Sequence, residues 1–145
     1  MSRAGTILLL WVLAMGAPPD AQGQTPESVA QDFASAWETQ DRSGLSALLS
    51  AEGVHLRLDG DGHGGLKPRR VLAALGSYWT DRTSARVTVV NVSTMEGRSP
   101  RAYGELSWTG VNEATGERFE ATIFLGLQKG DAGWRIDEIR TIAAG

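Results

Sequence analysis

The sequence predicts an α+β domain in which a curved, single-sided antiparallel sheet is roofed by helices, and three observations carry that reading. First, Arg101 to Ile142 reads as three consecutive strands. Ala102, Gly104, Leu106 and Trp108 alternate with Tyr103, Glu105, Ser107 and Thr109, and Phe119, Ala121, Ile123, Leu125 and Leu127 alternate with Arg118, Glu120, Thr122 and Gln128, with Phe124 as the exception. Period-two alternation of this kind marks a sheet with one buried and one wet face. Second, the upstream half carries apolar residues at helical spacing. Third, closing a turn over Glu113 to Gly116 sets Trp108 opposite Ala121, Leu106 opposite Ile123 and Gly104 opposite Leu125. Large then meets small on one face, which is how packed layers avoid both clash and void.

The elements follow in order. Arg3, the apolar run Ile7 to Ala17 and the small residues around Ala21 to Gly23 have the layout of a secretory signal, too short for a bilayer span. Cleavage after Gly23 is expected, which leaves 24–145 as one exported domain with no stable membrane insertion; the alternative is an uncleaved anchor. Export into a bacterial periplasm also suits a chain without cysteine. Thr25, Pro26 and Glu27 suit a helix N-terminus, and Val29, Phe33 and Trp37 recur every four residues to about Gln40. Asp41 restarts a short helix carrying Leu45, Leu48 and Leu49. Val54 to Leu58 alternates as a strand, Asp59 to Gly65 reads as a polar turn, and Pro68 opens a third helix with Val71, Leu72, Leu75, Tyr78 and Trp79 on its apolar side. Arg86 to Ser93 is a further strand; it contains Asn91-Val92-Ser93, a glycosylation match discounted for its strand setting. After Lys129 to Gly133 the chain turns back, so that Trp134 and Ile136 are expected to meet Leu127 and Leu125. The step of three from Ile136 to Ile139 predicts a bulge at Asp137-Glu138, which would re-aim one of those carboxylates toward the inner face.

Composition narrows the chemistry. A 145-residue chain with 41% hydrophobic and 21% charged residues and a net charge of −3 is ordinary for a globular domain and gives no reason to expect nucleic acid as a partner. The absence of cysteine excludes disulfides, thiolate metal sites and a cysteine nucleophile, and His55 and His63 alone are little material for a histidine metal centre. No cofactor is implied.

The order helix, helix, strand, helix and four strands resembles the cone-shaped α+β fold of the nuclear transport factor two-like superfamily, also described as SnoaL-like or cystatin-like. Phe33-Ala34-Ser35-Ala36-Trp37, the break at Asp41 and Leu45-Ser46-Ala47-Leu48-Leu49 resemble its opening, and Gly133 to Ile139 (GWRIDEI) its closing strand. The resemblance covers Thr25 to Ile142 and is nearest to small exported bacterial domains without assigned activity. It implies about three helices over the concave face of the sheet. It leaves function open, because isomerases, dehydratases, cyclases and pure binding modules share that fold.

The acid/base enzymes of the superfamily work inside the cone, and here the inward set is almost wholly apolar. The exception is the bulge, where Asp137 or Glu138 would serve as base with Tyr78 or Tyr103 as donor; the competing role is a solvated charge near a sheet edge. Trp37, Trp79, Trp108 and Ala121, with Tyr78 and Trp134 nearby, would line a pocket for a small apolar ligand, or the rings simply form the core. Asp59 to Gly64 has the opening spacing of a calcium loop, but Arg70 stands where a bidentate glutamate is needed, so a plain turn is preferred and no metal is assigned. The outward face, with Tyr103, Glu105, Arg118, Glu120, Phe124 and Arg135, suits at most a weak polar homodimer. The sequence therefore favours an exported non-enzymatic domain binding a small apolar ligand or an envelope protein. The alternatives are a SnoaL-type lyase or isomerase with a pocket carboxylate, and a structural module of an envelope complex.

Overall fold

The computed structural model describes residues 24–144, so the expected signal segment lies outside the described residues. Three helices, α1 (Pro26–Thr39), α2 (Arg42–Ser46) and α3 (Pro68–Tyr78), combine with β1 (Val54–Leu58), β2 (Asp61–Leu66), β3 (Arg82–Met95), β4 (Arg101–Asn112), β5 (Arg118–Gly130) and β6 (Gly133–Ala143). The strands form one curved sheet in the order β2-β1-β6-β5-β4-β3. All neighbours are antiparallel except β1 and β6, so the sheet is mixed rather than purely antiparallel. No helix among the described residues is long and apolar enough to cross a membrane.

Local chemistry sets the helix ends. The Thr25 hydroxyl accepts from the Ser28 N–H at 3.1 Å while the Ser28 hydroxyl accepts from the Thr25 N–H at 3.0 Å, a reciprocal cap that satisfies two orphan donors. Gln40 enters the left-handed region at φ 55° and stops α1. The Asp41 carboxylate then accepts from the Gly44 N–H at 3.0 Å and starts α2. Val29, Phe33 and Trp37 are all buried, as their spacing predicts. Beyond α2 the chain runs beside β6, with the Ser50 N–H donating to the Ile136 carbonyl at 2.8 Å.

The β4–β5 register is as expected: Trp108 faces Ala121, Leu106 faces Ile123 and Gly104 faces Leu125. The β5–β6 register differs by two residues. Gly130 pairs with Gly133 across a two-residue turn, so Trp134 falls opposite Lys129 and Ile136 opposite Leu127. The bulge sits where expected, because Gly126 pairs with Glu138 and Leu127 with Ile136, leaving Asp137 as the extra residue. It resets the parity, and Ile139 returns inward opposite Leu125.

Two further corrections concern strands. The segment Asp59 to Gly65 is not a turn throughout. Asp59 and Gly60 take φ of 51° and 98°, as a tight hairpin turn with positive φ at both positions demands, and Asp61–Leu66 pairs with β1 as an edge strand. Its glycines and exposed positions carry no apolar alternation, which is why periodicity misses it. β3 begins at Arg82 and ends at Met95, outrunning the expected Arg86 to Ser93 at both ends. At this edge the Glu38 carboxylate of α1 accepts from the Val87 N–H at 2.8 Å and covers part of the exposed ladder.

The core lies between the concave face and the helices. Phe33, Trp37, Leu45, Leu56, Leu75, Leu106, Trp108, Ile123, Leu127, Ile136 and Ile139 are essentially inaccessible to water. Each large side chain so buried contributes about 1.5–3 kcal/mol.

Candidate functional site

The aromatic residues expected to line a ligand pocket fill the cone instead. Trp37 meets Trp79 and Trp108 edge to face, with ring centroids 5.4 and 5.2 Å apart, and Phe33 lies 5.3 Å from Trp37. Trp108 meets Phe119 at 4.9 Å. Quadrupolar attraction favours such tilted contacts over stacked ones. The indole N–H groups of Trp37, Trp79 and Trp108 are buried without a hydrogen-bond partner. Of the residues expected to bind a ligand, Trp108 and Ala121 reach a small recess at the rim, and Trp37 and Trp79 do not.

That recess has a volume of about 90 Å³ and is bounded by Asp59, Tyr78, Arg82, Trp108, Phe119 and Ala121, among others. That is well below the roughly 300 Å³ where drug-sized ligand sites begin. Asp59, Tyr78 and Arg82 on its wall are tied together, with Thr141 behind them. The Tyr78 hydroxyl, at the end of α3, lies 3.0 Å from Asp59 Oδ2 in the β1–β2 turn and 3.0 Å from Thr141 Oγ1 on β6. Thr141 Oγ1 in turn reaches Asp59 Oδ1 at 3.3 Å and accepts from the Asp59 N–H at 3.2 Å. Arg82, at the start of β3, donates to the Tyr78 carbonyl at 2.6 Å, lays its guanidinium 4.2 Å over the Tyr78 ring and comes within 3.7 Å of Asp59 Oδ2. Thr141 is completely buried.

Burial pushes the Tyr78 phenol up to about 12, helped by the Asp59 charge and opposed by Thr141 and Arg82. The phenol is thus a neutral donor at ordinary pH. Each hydroxyl holds one proton, so the group supports two arrangements: Tyr78 donating to Asp59 directly, or Tyr78 donating to Thr141 and Thr141 to Asp59. Either way Asp59 is engaged from within the protein, and a substrate would have to displace one of these bonds to meet a free carboxylate.

The bulge carboxylates lie elsewhere, which corrects the expectation that one of them turns inward. Asp137 accepts from both terminal nitrogens of Arg101 at 3.0 Å each, and the Arg101 Nε donates to the Tyr103 hydroxyl at 3.2 Å. The bidentate bond to Asp137 raises the Arg101 pKa still further above its usual range. Glu138 sits on the same outer face: a Cβ built on outward-facing Gly126 would lie 3.0 Å from its Cβ and 3.1 Å from Arg101 Nη2. Tyr103 is exposed on that face and cannot meet Tyr78. The structure therefore separates the four expected catalytic residues into an inner Tyr78 and an outer group of Tyr103, Asp137 and Glu138.

Sequence reasoning missed Asp59, Arg82 and Thr141 as partners of Tyr78. Thr141 had a usable signal: two residues after Ile139 it is a polar residue at an inward position. Asp59 had none, because its side chain is aimed by a turn whose partners lie 19 and 82 residues away. The calcium-loop spacing is drawn out along a hairpin, with the Asp59 carboxylate turned to Tyr78. No cluster of three or more histidine or acidic side chains capable of holding a metal occurs among the described residues.

A curved six-stranded sheet roofed by helices, with a polar group at its rim, is the cone-shaped fold of the nuclear transport factor two-like proteins, also termed cystatin-like or ketosteroid isomerase-like. No protein-family model and no curated protein sequence matches the chain. Solved structures match it in shape. A protein from Kribbella flavida superposes with a TM-score of 0.67 at 9% identity, over 82% of this chain and 88% of that one. A ketosteroid isomerase-like protein from Erwinia carotovora atroseptica gives 0.66 at 17% identity, over 83% and 94%. A cystatin-like protein of unknown function from Nostoc punctiforme gives 0.62 at 16% identity, over 81% and 87%. At these identities the likeness is one of fold.

Proposed function

We propose that the protein is an exported, non-enzymatic recognition domain that binds through its surface rather than inside the cone. The observation that carries this reading is the filled interior: Phe33, Trp37, Trp79, Trp108 and Phe119 occupy the space a ligand would take, and the adjoining recess is about 90 Å³. The apolar run Ile7 to Ala17 supports export. Purification of the exported form, followed by native mass spectrometry and sequencing of its N-terminus, tests both parts. The expected results are a chain beginning at Gln24 and no small apolar molecule carried within it. A co-purified molecule that quenches tryptophan emission would refute surface binding, and an intact leader would refute cleavage.

A second reading is a lyase or isomerase, favoured by the convergence of Asp59 and Tyr78 beside Trp108. With Asp137 and Glu138 on the outer face, Asp59 is the carboxylate that meets Tyr78 and would act as base, with Tyr78 the donor. Turnover of a proton-transfer substrate that vanishes in Asp59→Asn, with stability retained, would select this reading.

A further inference from the structure

From the unbalanced pairing of Arg57 and Arg140 we infer an oxyanion-binding groove on the outer face of the β2-β1-β6 edge, taking a phosphate group. The inference rests on the surface-recognition reading and names the chemistry of that surface. Arg57 and Arg140 are register partners across the parallel β1–β6 pair. Neighbouring strands lie about 4.8 Å apart, so both side chains stand on one face; the Arg57 guanidinium reaches over Gly62 of β2 and that of Arg140 over Phe124 of β5, and both line one recess. Like charges placed directly opposite one another destabilise a sheet, unless something negative lies between them.

Among the described residues no ion pair plays that part, although Glu138 lines the same recess. Among the described residues the ion pairs are Arg82 with Asp59 and Arg101 with Asp137, and neither Arg57 nor Arg140 belongs to one. The nearby acids are otherwise disposed. Asp59, two residues beyond Arg57, is turned to Tyr78 and Thr141. Glu138 stands opposite His55 in the neighbouring register pair. Glu105 is on the far side of Phe124 in the same row of the sheet. Asp61, opposite Leu58, begins the edge strand and makes no ion pair. Arg140 is held rather than loose, since its guanidinium lies 5.0 Å over the Phe124 ring and its Nε is buried with no hydrogen-bond partner. A guanidinium fixed in this way offers a planar fork to a planar or tetrahedral oxyanion through its terminal nitrogens.

The glycines of β2 make the room. Gly62 lies beside Arg57, where a Cβ would come within 3.4 Å of Nε, and Gly64 beside His55, where it would come within 3.6 Å of Nδ1. With no side chains at these positions the surface sinks into a recess of about 760 Å³, walled by His55, Arg57, His63, Glu138 and Arg140. A second recess of about 450 Å³ touches Arg57 and Arg140 from the side of the Asp59-Gly60 turn. The two arginines thus stand between two hollows, open to a ligand larger than the ion itself. A dianion offsets both guanidinium charges, which a single carboxylate does not, and this favours phosphate. The groove gathers two arginines and both histidines of the chain on a protein of net charge −3.

Inorganic phosphate is the probe. Thermal unfolding of the purified protein is followed in chloride and in phosphate at matched ionic strength, with acetate as a monoanion control, and amide shifts of Gly62 and Gly64 are followed by NMR. Phosphate should raise the unfolding midpoint and move those two amides, with acetate weaker by roughly tenfold or more in affinity. Arg57→Gln and Arg140→Gln should each weaken phosphate by about tenfold or more, and Arg57→Lys, which keeps the charge and loses the fork, should fall between. A wild type that unfolds alike in phosphate and chloride, or an Arg57→Gln, Arg140→Gln double variant that keeps the full phosphate response, overturns the proposal. An apolar molecule found inside the cone would refute surface recognition while leaving the phosphate result standing, so the two fail separately.

Discussion

Removing the Tyr78 hydroxyl by Tyr78→Phe probes the rim cluster, and its signature is a dependence on alkaline pH. The phenol contacts Asp59 and Thr141 at 3.0 Å each, and Thr141 is wholly buried. A net hydrogen bond is worth about 0.5–1.5 kcal/mol and somewhat more with a charged partner. Asp59 is partly solvated, with 34% of its side chain exposed, so the loss at neutral pH should be about 1–2 kcal/mol. That corresponds to a fall of roughly 5–8 °C in Tm for a domain of this size. Burial, helped by the Asp59 charge and opposed by Thr141 and Arg82, holds the phenol at about 12 against an ordinary 10. At about 1.4 kcal/mol per unit the shift is worth nearly 3 kcal/mol, which partial exposure reduces to about 1–2. The sign follows from proton counting. Above pH 10 the unfolded chain releases the phenolic proton while the folded chain keeps it, so this contribution is complete below 10 and disappears as pH climbs toward 12. Urea unfolding of both proteins across that interval should therefore show the wild type losing its advantage over Tyr78→Phe. Because other titrating groups are common to both, the difference isolates Tyr78. A constant gap from neutral pH to 12, or a tyrosinate absorbance difference with its midpoint at 10, would refute the account of the cluster.

Other perturbations separate packing from surface chemistry. Gly110→Ala would bring a Cβ to 2.7 Å from the Thr83 carbonyl and 2.8 Å from the Phe119 ring, so it should cost about 1–3 kcal/mol in denaturant titration. Gly104→Ala meets nothing nearer than 3.7 Å and should be neutral or stabilising by up to about 1 kcal/mol in the same assay. Trp108→Ala, which empties the middle of the edge-to-face cluster, should cost about 3–5 kcal/mol and leave a cavity detectable by xenon or benzene binding. Asp137→Asn weakens a partly buried bidentate pair and should cost about 1 kcal/mol, with no effect on any turnover that depends on Asp59.

How far the fold could be read varies with how local its causes are. The β4–β5 register was legible because one glycine turn and a strict alternation determine every pair at once. The β5–β6 register missed by two residues because Gly130 and Gly133 close a tighter turn than the five-residue stretch suggests, though the bulge four residues later was visible as a broken parity. β2 was not legible, since an edge strand made of glycine and exposed polar residues has no buried face to announce it. The same locality governs the site. Aromatic spacing located Trp37, Trp79 and Trp108, and large-to-small pairing indicated that they would fill the cone. The direction of Asp137 and Glu138 depends on how the bulge turns its two residues, and Arg101, 36 residues upstream, claims Asp137 for the outer face. The partners of Tyr78 come from the β1–β2 turn, β3 and β6, three places that meet only once the sheet has closed.

The one parallel seam in the sheet bears on how the chain assembles. Residues 55–58 dock against 138–141, so the β1–β2 hairpin stays a loose flap until the last strand arrives. That union brackets most of the domain, and its ordering entropy falls due late, after β3, β4 and β5 have zipped by short hairpins. A nascent chain halted before β6 would present an orphaned ribbon and an open flank on β5, the two surfaces most prone to mispairing between molecules.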